Sequence, residues 1–304
     1  MIGESIESGT ISGVLVVDKP PGPTSHDVVA RVRARTGVKR VGHTGTLDPL
    51  ASGVLPLVLG RATRLARYLS SGDKTYDAVI RLGAATETYD AASAPAEMPV
   101  PSSVTPEDVG AALDGFRGTF RQTPPPYSAK KIGGVRAYKL ARAARPTTPE
   151  PVDVTVREIS LGSYRDGEVR IRVACSAGFY VRSLAHDLGA ALGCGGHLAM
   201  LRRTSSGPFT LSDAVPLALV ETDPQRALES VIGLNGLLTH MPAAVLTDAG
   251  AERVAHGNPV AGGDIVRRVS ADAACPVRLL DGRGTLLGIA EARPGALHPV
   301  VVLV

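Results

Sequence analysis

Apolar positions along the chain fall into short runs of two different periods. Gly13–Asp18 (GVLVVD) is apolar at nearly every position and is bounded by the turn-forming KPPGPTS, which predicts a buried strand. Ser25 reads as the N-cap of a helix over HDVVARVRART, with Val28, Val29 and Val32 inside, arginines outside and Gly37 as the stop. Val54–Leu59 predicts a strand, and Arg61–Leu69 a helix with Leu65 and Leu69 inward. Lys74–Leu82 alternates, with Tyr76, Ala78, Ile80 and Leu82 on one side, the signature of a strand.

Residues 91–103 are rich in Ala, Ser and Pro and read as an exposed loop. Thr105-Pro106-Glu107 opens a helix that Gly115 closes. The stretch QTPPPYSAKKIGG is expected to be an ordered but mobile arm, because three successive prolines admit neither a helix nor a central strand. Helical spacing returns over Val135–Ala144. Val152–Leu161 and Glu168–Cys175 predict a strand pair, Phe179–Leu192 an amphipathic helix, and His197–Arg203 a strand. The pattern changes after Pro208. Leu217–Leu238 reads as helical, and strand-like runs follow at Ile265–Val269, Pro276–Leu280, Thr285–Ala290 and Val300–Val304. This tail, from about Ala243, predicts a small separate β-rich domain.

Composition adds the chemistry. Aromatic residues are 4% of the chain and Trp is absent, so Val, Leu, Ile and Ala must build the core. The longest apolar runs fall far short of the roughly 20 residues a membrane span needs, and the N-terminus lacks an apolar signal core, so a cytoplasmic protein without membrane contact is expected. Cys175, Cys194 and Cys275 form no C-x-x-C pair and are read as reduced and structural. The net charge is +4, and its distribution matters more than its size. Between Asp114 and Glu150 there is no acid, but eight basic residues, among them Lys130, Lys131, Arg136 and Arg142. A second acid-free stretch carries Arg31, Arg33, Arg35, Lys39 and Arg40 and ends at Asp48. Single-sign stretches of this kind favour a nucleic-acid surface over an ordinary solvated face.

Asp48 sits alone in GHTGTLDPLASG. A lone Asp-Pro is first of all a turn opener. No second carboxylate is close: the next acids are Asp73 and Asp77, and Asp90 reads as isolated, so a Mg²⁺ or Ca²⁺ site is not expected. Neither a phosphate-binding G-x-x-x-x-G-K-[ST] loop nor a G-x-S-x-G elbow occurs. The Thr-Gly-Thr run looks like part of a phosphotransferase motif, but Gly42 stands where that chemistry needs its nucleophilic aspartate. What remains is a single carboxylate acting directly on a substrate in basic surroundings.

Several ordered motifs then carry a resemblance: GVLVVDKPPGPTSHDVV, KRVGHTGTLDPLASGVLPLVLGRATR, KTYDAVIRLG, QTPPPYSAKKIGGVRAYKLAR, and CSAGFYVRSLAHDLG followed by HLAMLRRTSSGPF. Over roughly its first 210 residues the chain resembles the TruB family of tRNA pseudouridine synthases, which isomerise uridine 55 in the T-loop. The resemblance implies an α+β pseudouridine synthase fold, with a mixed, mostly antiparallel central sheet flanked by helices and a small C-terminal PUA-like β domain. It implies a catalytic domain over residues 1–240, with an RNA-binding insertion at about 121–150, and a PUA-like domain over 241–304. Asp48 matches the catalytic aspartate. Tyr76 matches the tyrosine that stacks on the base, and Arg182 the arginine paired with the aspartate. Tyr180 and Leu201 match residues shaping the uracil pocket. His43 is placed at the flipped nucleotides, and Lys19 and Pro20 beneath the active-site loop. Arg40, Arg64, Lys130, Lys131, Arg136 and Arg142 are assigned to the RNA backbone.

The implied reaction needs no cofactor and no metal, since it breaks a C1′–N1 bond and rejoins the base through C5. Asp48 acts on the base, on C1′ or on a ribose proton, and the residues do not choose among these. The expected partner is tRNA, through its T-arm. A monomer that needs neither guide RNA nor protein partner is anticipated. Phe179 departs from the family, which often has a smaller residue at the pocket rim, and TETYDAASA lacks the Gly usual after its Asp, which puts a surface turn in doubt. A non-catalytic tRNA-binding or folding protein on the same scaffold is the competing reading, and Asp48, Tyr76 and Arg182 together argue against it. If the two acid-free stretches contact phosphates, tRNA affinity measured by filter binding will fall about tenfold or more between 50 and 200 mM salt. A flat salt response would remove them from the interface.

Overall fold

The computed structural model describes residues 11–97, 104–128, 131–132, 135–136, 149–269 and 276–304. Along the chain the first elements are β1 (Gly13–Lys19), α1 (Ser25–Thr36), β2 (Val41–His43), β3 (Ala51–Leu59), α2 (Ala66–Ser70) and β4 (Lys74–Leu82). A hairpin of β5 (Ala84–Thr86) and β6 (Pro95–Glu97) leads to α3 (Pro106–Asp114) and β7 (Gly118–Gln122). The two-residue strands β8 (Lys131–Ile132) and β9 (Val135–Arg136) pair with each other. Next come β10 (Val152–Arg165), β11 (Glu168–Cys175), α4 (Val181–Ala191) and β12 (Gly196–Ser206). Short strands β13 (Phe209–Thr210) and β14 (Val215–Pro216), helices α5 (Leu217–Thr222) and α6 (Pro224–Glu229), and β15 (Ile232–Gly233) complete this part.

The principal sheet runs β14-β1-β3-β12-β4-β11-β10-β7, with β2, β13 and β15 attached to its sides. Within this sheet only the β1–β14 and β3–β12 pairings are parallel among the described strands, so it is mixed and mostly antiparallel, as the resemblance implied. Its centre is covered on both faces, which explains why β1 and β3 lack polar alternation. Leu15, Val17, Leu55 and Leu57 point into a core shared with α1 and α4, while Val14, Val16, Val54 and Val58 point into a second core on the opposite face. The alternation of β4 is as read, with Tyr76, Ala78, Ile80 and Leu82 all in the first core.

A second sheet, ordered β17-β16-β18-β19-β20, is built from Ala243–Leu246, Ile265–Val269, Val277–Leu280, Leu286–Arg293 and Ala296–Val302, with helix α7 (Asp248–Ala255) after its first strand. Leu286, Ile289, Val301 and Leu303 enter the same core as Val14 and Val58, so this sheet stands on the rear face of the first.

Several local expectations are corrected. Thr24, not Ser25, caps α1, because Asp27 closes a reciprocal capping box with it. Residues 60–65 form a 3-10 turn before the short α2. The helix expected over 217–238 breaks at Asp223, whose side chain caps a new helix beginning at Pro224, and the chain is already extended at Ile232, paired with Val14. Val135–Arg136, the start of the helix expected over Val135–Ala144, is strand, and the rest of that stretch lies outside the described residues. The strand β7, the β5–β6 hairpin and helix α7 were not anticipated.

One glycine fixes how β3 meets its neighbours. Gly53 lies between Lys19 on β1 and Arg203 on β12, with φ +101°. A Cβ there would sit 2.1 Å from the Arg203 carbonyl oxygen. Both the conformation and the space demand glycine. Gly53→Ala is therefore expected to cost about 3 kcal/mol in urea unfolding, and a loss below about 0.5 kcal/mol would show that the strands separate freely.

Candidate active site

The loop between β2 and β3 is tied down at almost every residue around Asp48. Ser25 at the start of α1 accepts from the Leu47 amide at 2.8 Å and donates to its carbonyl at 3.0 Å. The Gly22 amide donates to the Pro49 carbonyl at 2.8 Å, and Ala51 donates to the Asp48 carbonyl at 3.0 Å. Lys19 is fully buried beneath this arrangement, with Nζ donating to the carbonyls of Pro20 and Pro23 at 2.9 and 2.8 Å. Lys19 therefore holds the turn that holds the loop. It does not line the pocket. Burial pushes its ammonium down to about 8, against a smaller upward pull from Asp48.

Asp48 stands at the mouth of a cavity of about 310 Å³ between this loop, β4, β12 and the start of α4. Tyr76, Tyr180, Arg182 and Leu201 line it, so four residues assigned to one site from distant stretches of sequence do meet. Arg182 Nε lies 2.9 Å from Asp48 Oδ2. The same guanidinium donates to the carbonyls of Thr88 at 3.1 Å and Tyr127 at 3.0 Å, and Nε lies 3.7 Å from Asp90 Oδ2. Arg182 is 6% exposed, whereas the Asp48 side chain is 37% exposed. One partner is thus locked in the wall, and the other is held with an edge open to the cavity. No side chain or amide among the described residues bonds Asp48 Oδ1.

Asp90 corrects the sequence reading twice. It is not isolated, because it is the second carboxylate on Arg182. Nor does it stand in a surface turn: it is 5% exposed and accepts from the Thr88 hydroxyl at 2.6 Å and the Ala92 amide at 3.0 Å. The unexpected strand β7 also serves the site. Its last residue, Gln122, accepts from the Tyr180 amide at 2.8 Å and donates to the Tyr180 carbonyl at 3.0 Å. That amide clamp fixes the chain entering α4, whose N-terminus has no side-chain cap.

Two cations in the wall were missed. Arg203 is 1% exposed and lies across the strand pair from Tyr76. Its Nε donates to the Val54 carbonyl at 2.7 Å and its Nη2 to the Gly45 carbonyl at 3.1 Å. Lys74 is 7% exposed, with Nζ bonded to the carbonyls of Ser70 and Gly72 at 2.7 and 2.6 Å. The signal was available: side chains two apart on a strand share a face, so Arg203 follows from Leu201 and Lys74 from Tyr76. Burial raises the Tyr76 phenol above its ordinary range, and the Arg203 guanidinium beside it opposes that shift. Burial also raises the Tyr180 phenol, again opposed by a neighbouring arginine, Arg182.

The other assigned residues are spread out. His43 is partly buried on β2 with Nδ1 unpaired, edge-on to His26 at 6.4 Å, and burial lowers its pKa. It stands beside the loop but not in the cavity wall. Arg40 lines a separate cleft of about 1020 Å³ with Gly60, Arg61 and Gly233–Gly236, which has no carboxylate among its described residues. Arg64 turns to the second sheet, donating to the Val302 carbonyl, and is not brought to the cavity. Lys131 and Arg136 are register partners in the β8–β9 pairing, while Lys130 and Arg142 lie outside the described residues. Phe179 is at the rim as expected, packed edge-on against Phe120 at 6.5 Å. No described helix is long and apolar enough to cross a membrane.

Comparison with known proteins agrees with this geometry. Residues 33–181 match the TruB family pseudouridylate synthase (N terminal domain), residues 182–233 the tRNA pseudouridylate synthase B C-terminal domain, and residues 242–303 the C-terminal region of pseudouridine synthase II TruB. The tRNA pseudouridine synthase B of Solibacter usitatus is 42% identical over 296 residues, spanning 96% of this chain and 100% of that protein. The enzyme of the same name from Thermobifida fusca is 43% identical over 300 residues, spanning 95% and 98%. Among solved structures, an archaeal box H/ACA sRNP Nop10–Cbf5 complex contains a chain that is 27% identical with a TM-score of 0.74, covering 99% of this chain and 89% of that one. A chain of an H/ACA RNP bound to a substrate RNA containing 2′-deoxyuridine is 26% identical with a TM-score of 0.73, covering 96% and 85%.

The Lys19 shift makes a prediction of its own. Its folded pKa, about 8, lies below the unfolded value of 10.5. Between those values the unfolded chain binds more protons, so the burial penalty is present below about pH 8 and fades as pH rises toward 10.5. The unfolding free energy of wild type minus that of Lys19→Met is therefore expected to increase from about pH 8 to about pH 10 in urea melts. A difference constant with pH would mean that Lys19 titrates normally.

Proposed function

The chain belongs to the TruB family of pseudouridylate synthases, and from that premise we propose that it converts uridine 55 in the T-loop of tRNA to pseudouridine, with Asp48 as the catalytic carboxylate. The observation that carries the assignment is the Asp48–Arg182 pair, 2.9 Å apart, with the arginine buried and the aspartate open to the cavity. A carboxylate that only shaped a turn would not need a buried guanidinium tied to four acceptors.

The substrate base is held inside folded RNA and must leave its stack to reach Asp48. Tyr76 and Leu201 supply an aromatic face and an aliphatic one for the extruded uracil, and Tyr180 closes the side next to Arg182. The C1′–N1 bond then breaks, the base turns, and C1′ bonds to C5. The C5 proton is lost and N1 gains one, so no atom enters or leaves overall. Attack on the base, attack on C1′ and removal of a ribose proton would all use the oxygen of Asp48 that Arg182 leaves free. The domain division in this reading falls at 240/241, with the β-rich sheet as a PUA-like RNA-binding unit. His43 and the basic ribbon around Lys131 and Arg136 contact the RNA.

Asp48→Asn keeps the size of the side chain and removes the carboxylate chemistry. Tritium release from tRNA labelled at C5 of uridine is expected to fall below detection, with tRNA affinity within about threefold of wild type. Turnover within tenfold of wild type would displace Asp48 from the reaction, and wild-type protein that binds tRNA without releasing tritium would favour the non-catalytic reading.

A further inference from the structure

Resting on that reading, we propose that Lys74 and Arg203 form an anion-holding floor that carries the negative charge of the detached uracil. The two residues occupy adjacent antiparallel strands. Arg203 faces Tyr76 directly in register, and Lys74 lies two residues before Tyr76 on the same face. A Cβ placed on Gly45 would lie 3.4 Å from Arg203 Nη1 and 3.9 Å from Lys74 Cε, so both cations flank the same glycine of the catalytic loop.

Their partners set them apart from Arg182. Arg182 has two carboxylates, Asp48 and Asp90. Lys74 and Arg203 bond backbone carbonyls, and neither has a carboxylate within ion-pair distance among the described residues. Burying a cation without a counter-charge costs stability. Two such cations in the wall of one small cavity leave it with a standing positive potential beside the catalytic loop. Fixed charge of this kind stabilises a negative group that forms only during reaction, because nothing must reorganise when it appears.

The proposed chemistry produces such a group. When C1′–N1 breaks, the bonding electron pair stays with N1, and the charge spreads to O2 and O4 of the ring. C1′ is stabilised from the Asp48 side. The base then turns, a pair from its C5 forms the new bond to C1′, and the C5 proton leaves while N1 is protonated. The anion exists between the two bonds when Asp48 acts at C1′ or on a ribose proton, and the floor acts in that interval.

The test varies the leaving base. T-arm RNA carrying either uridine or 5-fluorouridine at the target position is mixed with excess enzyme, and loss of the target nucleoside is followed in nuclease digests. Fluorine makes the detached base a weaker base that needs less help to leave. Lys74→Met and Arg203→Lys are each expected to slow consumption of uridine about a hundredfold and of 5-fluorouridine about tenfold or less, with RNA affinity unchanged. Equal slowing of both bases would reduce the pair to a structural role and overturn the inference. So would a loss explained by weaker RNA binding, or no loss at all. If either variant fails to match the wild-type melting temperature, the other carries the comparison. Wild-type consumption of uridine in the same assay tests the underlying function separately, since its absence would sink the reading of the enzyme and its presence leaves the inference to the variants.

Discussion

A single guanidinium organises the site. Arg182 is buried, and its guanidinium pairs ionically with Asp48 and Asp90 and donates to the carbonyls of Thr88 and Tyr127. Those acceptors come from the catalytic loop, from the turn after β5 and from the segment after β7. The arginine therefore joins three stretches that share no strand pairing. Its own backbone is set by the Gln122 clamp on Tyr180 and by the packing of Leu184 and Leu188 into the main core. Breaking a buried pair by removing one partner is costly, so this arrangement is stable only as a whole. Its result is that Asp48 keeps one free oxygen while the other is fixed.

The remaining charge is arranged around that pair with a consistent sense. Asp48 and Asp90 gather on one side at Arg182. Lys74 and Arg203 line the same cavity beside Gly45, held by carbonyl oxygens that accept their hydrogen bonds without neutralising them. Lys19 sits below, buried and depressed to about 8. The sheet makes this possible, since β3, β12 and β4 lie side by side and deliver the loop, Leu201 with Arg203, and Lys74 with Tyr76 to one place.

Much of this was legible before any coordinates. The alternation of β4 placed Tyr76 inward, and the family resemblance assigned Asp48, Tyr76 and Arg182 to one site. What was not legible shares a physical cause. Arg203 and Lys74 look like surface residues in a basic chain, and only the strand period gives their direction. Asp90 looked solitary because its partner arrives from a helix far along the chain, after β11. Ser25 looked like a helix cap, but its hydroxyl is spent on Leu47, and the cap falls to Thr24. Arg64 had the right charge and the right neighbours in sequence, yet its strand-to-helix turn points it at the second sheet. Periodicity reports which face a residue occupies, and long-range pairing decides what it meets there.

The account stands on the claim that a flipped uridine enters the cavity and meets the free oxygen of Asp48. The structure of the protein bound to a T-arm RNA tests this most directly. It should show the target nucleotide turned out of its loop, its base between Tyr76 and Leu201, its sugar against Asp48, and Arg182 still on both carboxylates. A base that remains stacked in the RNA, or a phosphate seated where the uracil should be, would contradict it.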